Sequence, residues 1–185
     1  MTSGTALTVA ALLTGLLGAV AGDAQQPRAD APAGAAANPL DTVPDKMPFD
    51  IPYGAPIPLA RANAVIAAAV GEARKHDWKL NVAVVDSGAN LVAFQRMDGA
   101  QLASIQVAQH KARSAATYRR ETKAFENAIQ SGNTYVVTLD GVIGSRGGIP
   151  LVEGGHLVGA IGCSGGTGSQ DEVACKAGVA ALNNP

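Results

Sequence analysis

The stretch from residue 81 to residue 100 constrains the fold most, because it carries the clearest strand–turn–strand pattern in the chain. Two apolar runs, residues 82–85 and 91–94, are rich in Val, Leu and Phe and flank the segment DSGAN at 86–90. β-Branched and aromatic residues favour strands, and Gly88 can adopt the positive φ that a tight turn requires. The pattern therefore predicts a β-hairpin with a loop of about five residues.

Polar residues mark the ends of this hairpin. Asp86 closes the first strand, while Arg96 and Asp98 close the second. Two interpretations are open: the aspartates cap local backbone as turn formers, or the three charged side chains form a polar binding edge beside an apolar sheet.

The rest of the chain contains four helical patterns and three further strand patterns. Hydrophobic periodicity predicts helices at 59–77, 101–118, 122–130 and 169–182. Strands are predicted at 134–139, 149–152 and 156–163, the last two joined by a second hairpin through the glycines at 154 and 155. Because hairpins join antiparallel strands, the element order predicts an α+β fold with an antiparallel five-stranded sheet flanked by helices.

Three parts are predicted along the chain. Residues 6–21 are apolar and followed by small residues, which favours a signal peptide at 1–24 over an uncleaved anchor, although residues 1–5 lack Lys and Arg. Residues 25–58 form a Pro/Ala-rich linker. In its second half apolar residues alternate with Pro and polar residues, which predicts an extended arm that is either docked on the protein surface or a flexible tether. Residues 59–185 form the globular domain. The mature protein is expected to be periplasmic or secreted, where disulfides persist.

Composition argues against a nucleic-acid partner. The formal net charge is -1, and aromatic residues make up only 4% of the chain, so no basic patch is interleaved with aromatics. The Gly-rich segment at 165–168 precedes a helix, where backbone amides can bind an anion, but it lacks the Lys of a P-loop.

Three segments together resemble one known family. AVVDSGANLVAFQRMDGA at 83–100, SIQVAQHKARSAATYRRET at 104–122 and GGIPLVEGGHLVGAIGCSGGTGSQDEVACKAG at 147–178 are similar to the GlcG/HbpS-like family. The resemblance covers about residues 59–183. It implies a roadblock/profilin-like fold, haem binding or degradation, and assembly into homo-oligomers. The chain departs from the family at Cys163, where Val is frequent.

His110 is the candidate ligand for haem iron, which proteins most often hold through a His nitrogen. It lies mid-helix beside Lys111 and near Arg113, and haem propionates favour such cations. Tyr118, about two turns later, is a second candidate. The alternative is that His110 is a surface residue on a polar helical face. Of the other two histidines, His76 is expected to end the first helix and His156 to be solvated at a hairpin tip.

A second expected cluster joins Arg96, Lys111 and Arg146, three cations predicted to lie near aspartates of the first hairpin and the last helix. Structural salt bridges explain these cations. A pocket for a small carboxylate or a haem propionate explains them equally well, and in an enzyme a nearby Asp or Glu would serve as general acid or base.

Cys163 and Cys175 allow three interpretations. They form a disulfide that ties the last strand to the last helix, provided their Cα atoms lie within about 7 Å. They are two buried thiols, or they have a metal or nucleophilic role, for which no His or CxxC spacing is present.

Together these features predict an extracytoplasmic, homo-oligomeric protein that sequesters, carries or senses haem. The first alternative is a small-molecule enzyme acting on a carboxylate-bearing substrate in the pocket of Arg96, Lys111 and Arg146. The second is an accessory interaction protein whose extended arm docks on a neighbour.

Overall fold

A computed structural model describes residues 41–183 of the chain. The predicted signal peptide at 1–24 and the first part of the predicted linker lie outside the described residues. From Pro44 onward the chain forms one compact unit. None of the helices described between residues 41 and 183 is long and apolar enough to span a bilayer.

The unit contains four α-helices, four β-strands and one 3-10 helix. The α-helices are α1 (Leu59–Lys75), α2 (Ala103–Tyr118), α3 (Lys123–Gln130) and α4 (Gly168–Asn183). The strands are β1 (Asn81–Asp86), β2 (Leu91–Arg96), β3 (Gly148–Glu153) and β4 (His156–Ser164), and the 3-10 helix covers Thr134–Thr138.

The sheet is antiparallel throughout and has the order β2-β1-β4-β3. It has four strands among the described residues, so the prediction of five strands is wrong. The missing strand is 134–139, which forms the 3-10 helix instead. Only Val136 of this helix is buried, while Tyr135 and Val137 are exposed, so the segment has no sheet against which to extend.

Helices cover both faces of the sheet. Val82 and Val84 belong to a buried cluster with α1 and α4, whereas Ala83 and Val85 belong to a second cluster with α2. This division follows from the two-residue period of a strand, in which successive side chains point to opposite faces. The sheet is therefore the middle layer, with α2 alone against one face.

Small residues allow α2 to lie unusually close to β4. A Cβ atom added at Gly162 would sit 2.0 Å from the carbonyl oxygen of Ala108 and 2.6 Å from the amide nitrogen of Ala112. Any other residue at this position would push the helix away from the strand. The short side chains of α2 thus fix the position of the helix and of every residue on its outer face.

The turn between β1 and β2 is organised by Asp86. Its Oδ1 accepts hydrogen bonds from the amides of Gly88 (2.8 Å) and Asn90 (2.9 Å), which is the turn-forming role of an aspartate. The positive φ lies at Ala89, at 63°, and not at Gly88 where the sequence predicts it. The Asp86 carboxylate is therefore committed to local backbone.

The extended arm before α1 lies against β4 and α2. The amide of Leu157 donates to the carbonyl of Pro52, and the amide of Gly54 donates to the carbonyl of Leu157, both at 2.8 Å. Tyr53 donates its hydroxyl to the carbonyl of Thr117 at 2.7 Å, and Ile57 is buried in the core. The arm thus borders the outer face of α2.

Candidate functional site

An open groove of about 500 Å³ follows the outer face of α2. We call it the α2 groove, and its lining residues are Ala89, Gln106, His110, Arg113, Thr117, Asp140 and Gly141. Four of these come from α2 at positions i, i+4, i+7 and i+11, which is one face of a helix. A neighbouring cavity of about 260 Å³ shares two of the lining residues and extends the groove to the arm at Tyr53.

His110 is held in a defined orientation at this groove. Its Nε2 lies 3.1 Å from the carbonyl oxygen of Gly141. Because a carbonyl only accepts, Nε2 carries the proton, and Nδ1 of the neutral ring keeps its lone pair. Histidines that bind metals commonly have their second nitrogen held by a backbone carbonyl in this way. Within residues 41–183, no group of three or more His, Cys, Asp and Glu side chains is arranged to hold a metal ion.

Arg113 lies one turn after His110 on the same face and is exposed. Among the described residues, its side chain makes one hydrogen bond, to Oε1 of Gln109 at 3.5 Å, which is long. The guanidinium is therefore available to a carboxylate entering the groove, and its planar fork can bind both oxygens of that group.

Tyr118 does not line the groove but holds one of its walls. Its hydroxyl donates to the carbonyl of Asp140 at 2.6 Å, and its ring packs edge-on against Phe125 at 5.2 Å between centroids. Together with the contact between His110 and Gly141, this bond ties the loop at 140–141 to α2. The sequence grouped His110 with Tyr118 as possible iron ligands, and the structure shows that both contact the same loop.

Lys111 lies away from the groove, although it follows His110 directly. One residue along a helix is a rotation of about 100°, and this turns Lys111 into the interior, where it is 1% exposed. Its Nζ lies 2.8 Å from Oδ2 of Asp171 and 3.1 Å from the carbonyl of Cys163. The expectation that Lys111 joins His110 at a ligand site is not met.

Asp171 binds two partners at the start of α4. Burial raises the pKa of its carboxyl, while Lys111 and the loop amides favour the charged form. Its Oδ1 accepts from the amide of Gly166 at 3.0 Å, and the amide of Thr167 donates to Gln170 at 2.8 Å. Amides of the Gly-rich loop therefore bind side chains of α4 instead of a phosphate.

Arg146 joins α3 to α4. Its Nη2 lies 2.7 Å from Oε1 of Glu126, and its Nη1 lies 3.5 Å from Oε2 of Glu172. The side-chain hydrogen bond from Arg146 lowers the pKa of Glu126 and outweighs the effect of partial burial. Arg146 is thus a structural cation with two carboxylate partners.

Arg96 lies in a third place, at the end of β2, where it lines a separate cavity of about 260 Å³ with Arg74 and Lys79. Neither Lys111 nor Arg146 lines this cavity. The predicted common pocket of Arg96, Lys111 and Arg146 is therefore not formed, because each cation has its own surroundings.

Cys163 and Cys175 are joined by a disulfide, with 2.11 Å between the sulfurs and 5.8 Å between the Cα atoms. The bond connects β4 to α4, and both residues are fully buried.

Sequence reasoning missed most residues of the α2 groove. Gln106 and Thr117 could have been found, because they repeat with His110 at helical spacing on a face without apolar residues. Ala89, Asp140 and Gly141 carry no such signal. They reach the groove through the β1–β2 turn and the loop after the 3-10 helix, whose positions depend on tertiary packing.

Relatives of the chain share this domain. GlcG of Escherichia coli K12 is 43% identical over 103 residues, which are 56% of this chain and 77% of GlcG. The crystal structure of a PduOC:heme complex superimposes with a TM-score of 0.63 at 26% identity, over 69% of this chain and 96% of that one. A double mutant of HbpS from Streptomyces reticuli gives a TM-score of 0.64 at 28% identity, over 79% of this chain and 97% of that one.

The sequence model of one family, described as "Haem degrading protein HbpS-like", matches residues 57–180. This range contains all four helices but the last turn of α4, all four strands and every α2 residue of the groove. The chain belongs to the HbpS-like family.

Proposed function

We propose that the protein binds haem in the α2 groove, with His110 as the ligand of the iron and Arg113 as a partner of a propionate. The observation that carries the proposal is the arrangement of His110. Its imidazole lies on the groove, one of its nitrogens is held by the Gly141 carbonyl, and Arg113 follows one turn later on the same face.

The residues present fit a haem group. A groove of about 500 Å³ falls within the usual 300–1,000 Å³ range of small-molecule sites. A neutral imidazole nitrogen is the commonest protein ligand of haem iron, and Arg113 matches a propionate in charge and geometry. Tyr53 and Thr117 extend the groove toward the arm, giving the macrocycle a partly apolar wall.

Relatives support this assignment. PduOC, whose fold this chain shares, has been crystallised as a complex with heme, and the family model names haem-degrading proteins. When bound, haem supplies an iron centre for ligand binding or electron transfer. The chain itself orients the imidazole through Gly141, places a cation next to it, and holds the groove wall through Tyr118.

We also propose that the protein acts outside the cytoplasm as a homo-oligomer that sequesters, carries or senses haem. The apolar run at 6–21 and the disulfide between Cys163 and Cys175 support the compartment. Fractionation of cells producing the full chain tests the location, and light scattering during gel filtration tests the assembly. A cytoplasmic, monomeric protein would contradict both parts.

The two alternative functions rest on arrangements of side chains that differ from those in the structure. The enzyme alternative required one pocket formed by Arg96, Lys111 and Arg146, and these side chains lie apart. The accessory-protein alternative has the extended arm dock on a neighbour, and Tyr53 and Ile57 of this arm contact the protein's own α2 and core.

Haemin titration of the purified protein tests haem binding, with the Soret band as the readout. The wild type is expected to give a saturable, shifted band, and His110→Ala is expected to abolish the shift. His156→Ala is the matched control, because His156 is exposed in the β3–β4 hairpin, does not line the α2 groove, and its ring bonds to the carbonyl of Gly154.

Arg113→Ala is expected to weaken haemin binding without changing the position of the band, since a propionate partner does not touch the iron. If His110→Ala gives the same saturable band as the wild type, the iron ligand is a residue other than His110. The absence of any saturable band would overturn the haem proposal itself.

A further inference from the structure

The cavity that Arg96 lines lies at the end of the first hairpin opposite the β1–β2 turn. It measures about 260 Å³ and is lined by Arg74, Lys79, Gln95, Arg96, Met97 and Asp98. Its residues come from the last turn of α1, the segment before β1 and the end of β2. The cavity is therefore assembled from three separate parts of the chain that all point charged groups at one space.

The charges of this cavity are unequally matched. Within residues 41–183, neither Arg74 nor Arg96 has a carboxylate within ion-pair distance. Lys79 is paired with Asp77, and Asp98 is the lining carboxylate. Taken together, these five side chains keep a net charge of one positive, concentrated on two guanidinium groups.

The backbone around the cavity is well supported. Arg96 is opposite Asn81 in the β1–β2 ladder, and the amide of buried Met97 donates to the carbonyl of Leu80 at 3.0 Å. The stem of Lys79 lies against Gly99, where an added Cβ would be 3.6 Å from its Cγ. The chain segments that carry Lys79 and Arg96 are thus fixed before any ligand arrives.

We propose that this cavity binds a small oxyanion, a carboxylate or a phosphate group, between Arg74 and Arg96. Guanidinium groups present planar forks of N–H donors that match the oxygens of both anions. Stabilising the C-terminal end of α1 explains Arg74 alone, but it does not explain why Arg96 and Lys79 converge on the same space. Arg74 and Arg96 are exposed, so an oxyanion in the cavity would replace water as the partner of their guanidinium groups.

The oxyanion site is separate from the α2 groove. The groove borders the β1–β2 turn at Ala89, whereas the oxyanion site borders the other end of β2 at Arg96. A strand of six residues separates them, a distance of about 20 Å. Binding of an oxyanion is therefore independent of the proposal that His110 binds haem.

Trp78 provides a local reporter for this site. It is the only Trp of the chain, it directly precedes Lys79, and it stacks on His76 with 4.4 Å between ring centroids. The test titrates the full-length protein without haem with inorganic phosphate and, separately, with oxalate, at constant ionic strength maintained with chloride. Tryptophan fluorescence follows binding, and calorimetry provides an independent dissociation constant.

A saturable response to at least one of the two anions is expected. Arg96→Gln is expected to weaken it about tenfold or more, since hydrogen bonds between charged groups are the strong ones. Arg96→Lys, which keeps the charge but loses the fork, is expected to be intermediate. Lys75→Gln is the matched control, because Lys75 is an exposed cation of the same helix end that pairs with Glu72 and does not line the cavity.

Comparison of the two anions identifies the ligand class, because tighter binding of phosphate indicates a phosphate group and tighter binding of oxalate indicates a carboxylate. Circular dichroism confirms that each variant is folded. The proposal is overturned if neither anion saturates, or if folded Arg96→Gln binds as the wild type does. His110→Ala is expected to bind the oxyanion normally, which keeps this outcome distinct from failure of the haem proposal.

Discussion

Lys111 is the largest fully buried side chain between residues 41 and 183, and its ammonium depends on one carboxylate. The side chains of Lys111 and Asp171 are 1% and 3% exposed, and their charged atoms lie 2.8 Å apart. A cation at such a depth requires a counter-ion, because removing an isolated charge from water is very costly. The pair fixes α2 to the start of α4 across the edge of the sheet.

Replacing Lys111 with Met tests this dependence. The variant leaves the Asp171 carboxyl buried without its cation, and we expect the free energy of unfolding to fall by about 3–5 kcal/mol. Urea unfolding at pH 7 measures the change. Lys75→Met, which removes an exposed pair with Glu72, is the control and is expected to change the free energy of unfolding far less, because solvent screens that pair. Equal effects of the two substitutions would contradict the interpretation.

Glu126 gives the fold a dependence on acidic pH. The side-chain hydrogen bond from Arg146 holds the pKa of Glu126 below its ordinary value, despite the opposing effect of partial burial. A carboxyl with a lowered folded pKa contributes stability that is fully present above its unfolded pKa, about 4.3, and is lost as the pH falls through the folded value.

Glu126→Gln is therefore expected to destabilise the protein at pH 7 by about 1 kcal/mol or less, since it removes the charge and one of the two oxygens that accept from Arg146, in a pair that solvent partly screens. The difference from the wild type should shrink as the pH falls below the ordinary glutamate pKa, about 4.3, and through the lowered folded pKa of Glu126. Urea midpoints at pH 7 and pH 3 measure it. A difference that is the same at both pH values would exclude the charge of Glu126 as its cause.

At the scale of elements, the helices were predictable because their buried faces repeat with helical spacing. The buried residues of α1 are the ones that periodicity indicates: Ala62, Val65, Ile66, Ala69, Val70 and Ala73. The segment TYVVT at 134–138 has the composition of a strand, yet it becomes a 3-10 helix. Strand propensity measures how well side chains pack on a half-buried pleated sheet. The local sequence does not determine whether such a sheet is available to the segment.

The same limit applies to the candidate site. The sequence indicates His110 as a candidate because it lies on a predicted helix beside cations, but its neighbour Lys111 lies in the interior and not at the groove. The rotation per residue was available from the sequence. The buried partner that makes a lysine stable in the interior, Asp171, lies 60 positions away in the chain, and only the fold brings the two together.

The loop at 140–141 depends on its bonds to α2. Tyr118→Phe removes the hydrogen bond to the Asp140 carbonyl but keeps the aromatic packing against Phe125. We expect faster amide hydrogen exchange in peptides covering 139–146, with a global destabilisation of only about 1 kcal/mol. Weaker haemin binding is expected as well, because this loop forms a wall of the groove.

Hydrogen exchange followed by mass spectrometry measures the loop, and Tyr53→Phe is the matched control. That variant also removes one tyrosine hydroxyl bonded to a backbone carbonyl, but the carbonyl belongs to Thr117 on α2. Unchanged exchange at 139–146 in Tyr118→Phe would show that the Tyr118 hydroxyl does not hold the loop.

At the scale of the whole molecule, the sheet separates the α2 groove from the larger apolar cluster and the disulfide. The face covered by α2 positions the groove, whereas the face covered by α1 and α4 contains the larger apolar cluster and the disulfide. The covalent bond lies between β4, which is a central strand, and α4, which packs against α1. Stability can therefore be altered on one side of the sheet while His110 and its groove remain unchanged.

Removing the disulfide tests this separation. The Cys163→Ala/Cys175→Ala variant is expected to lose about 2–4 kcal/mol of unfolding free energy, because the bond restricts the unfolded chain across 12 positions. Its haemin titration is expected to match the wild type, since neither cysteine lines the α2 groove. Urea unfolding with and without reductant provides the control: the reduced wild type should unfold like the variant. If reductant leaves the wild-type midpoint unchanged, the disulfide does not contribute this stability. Loss of haemin binding in the variant would show that the two sides of the sheet are coupled.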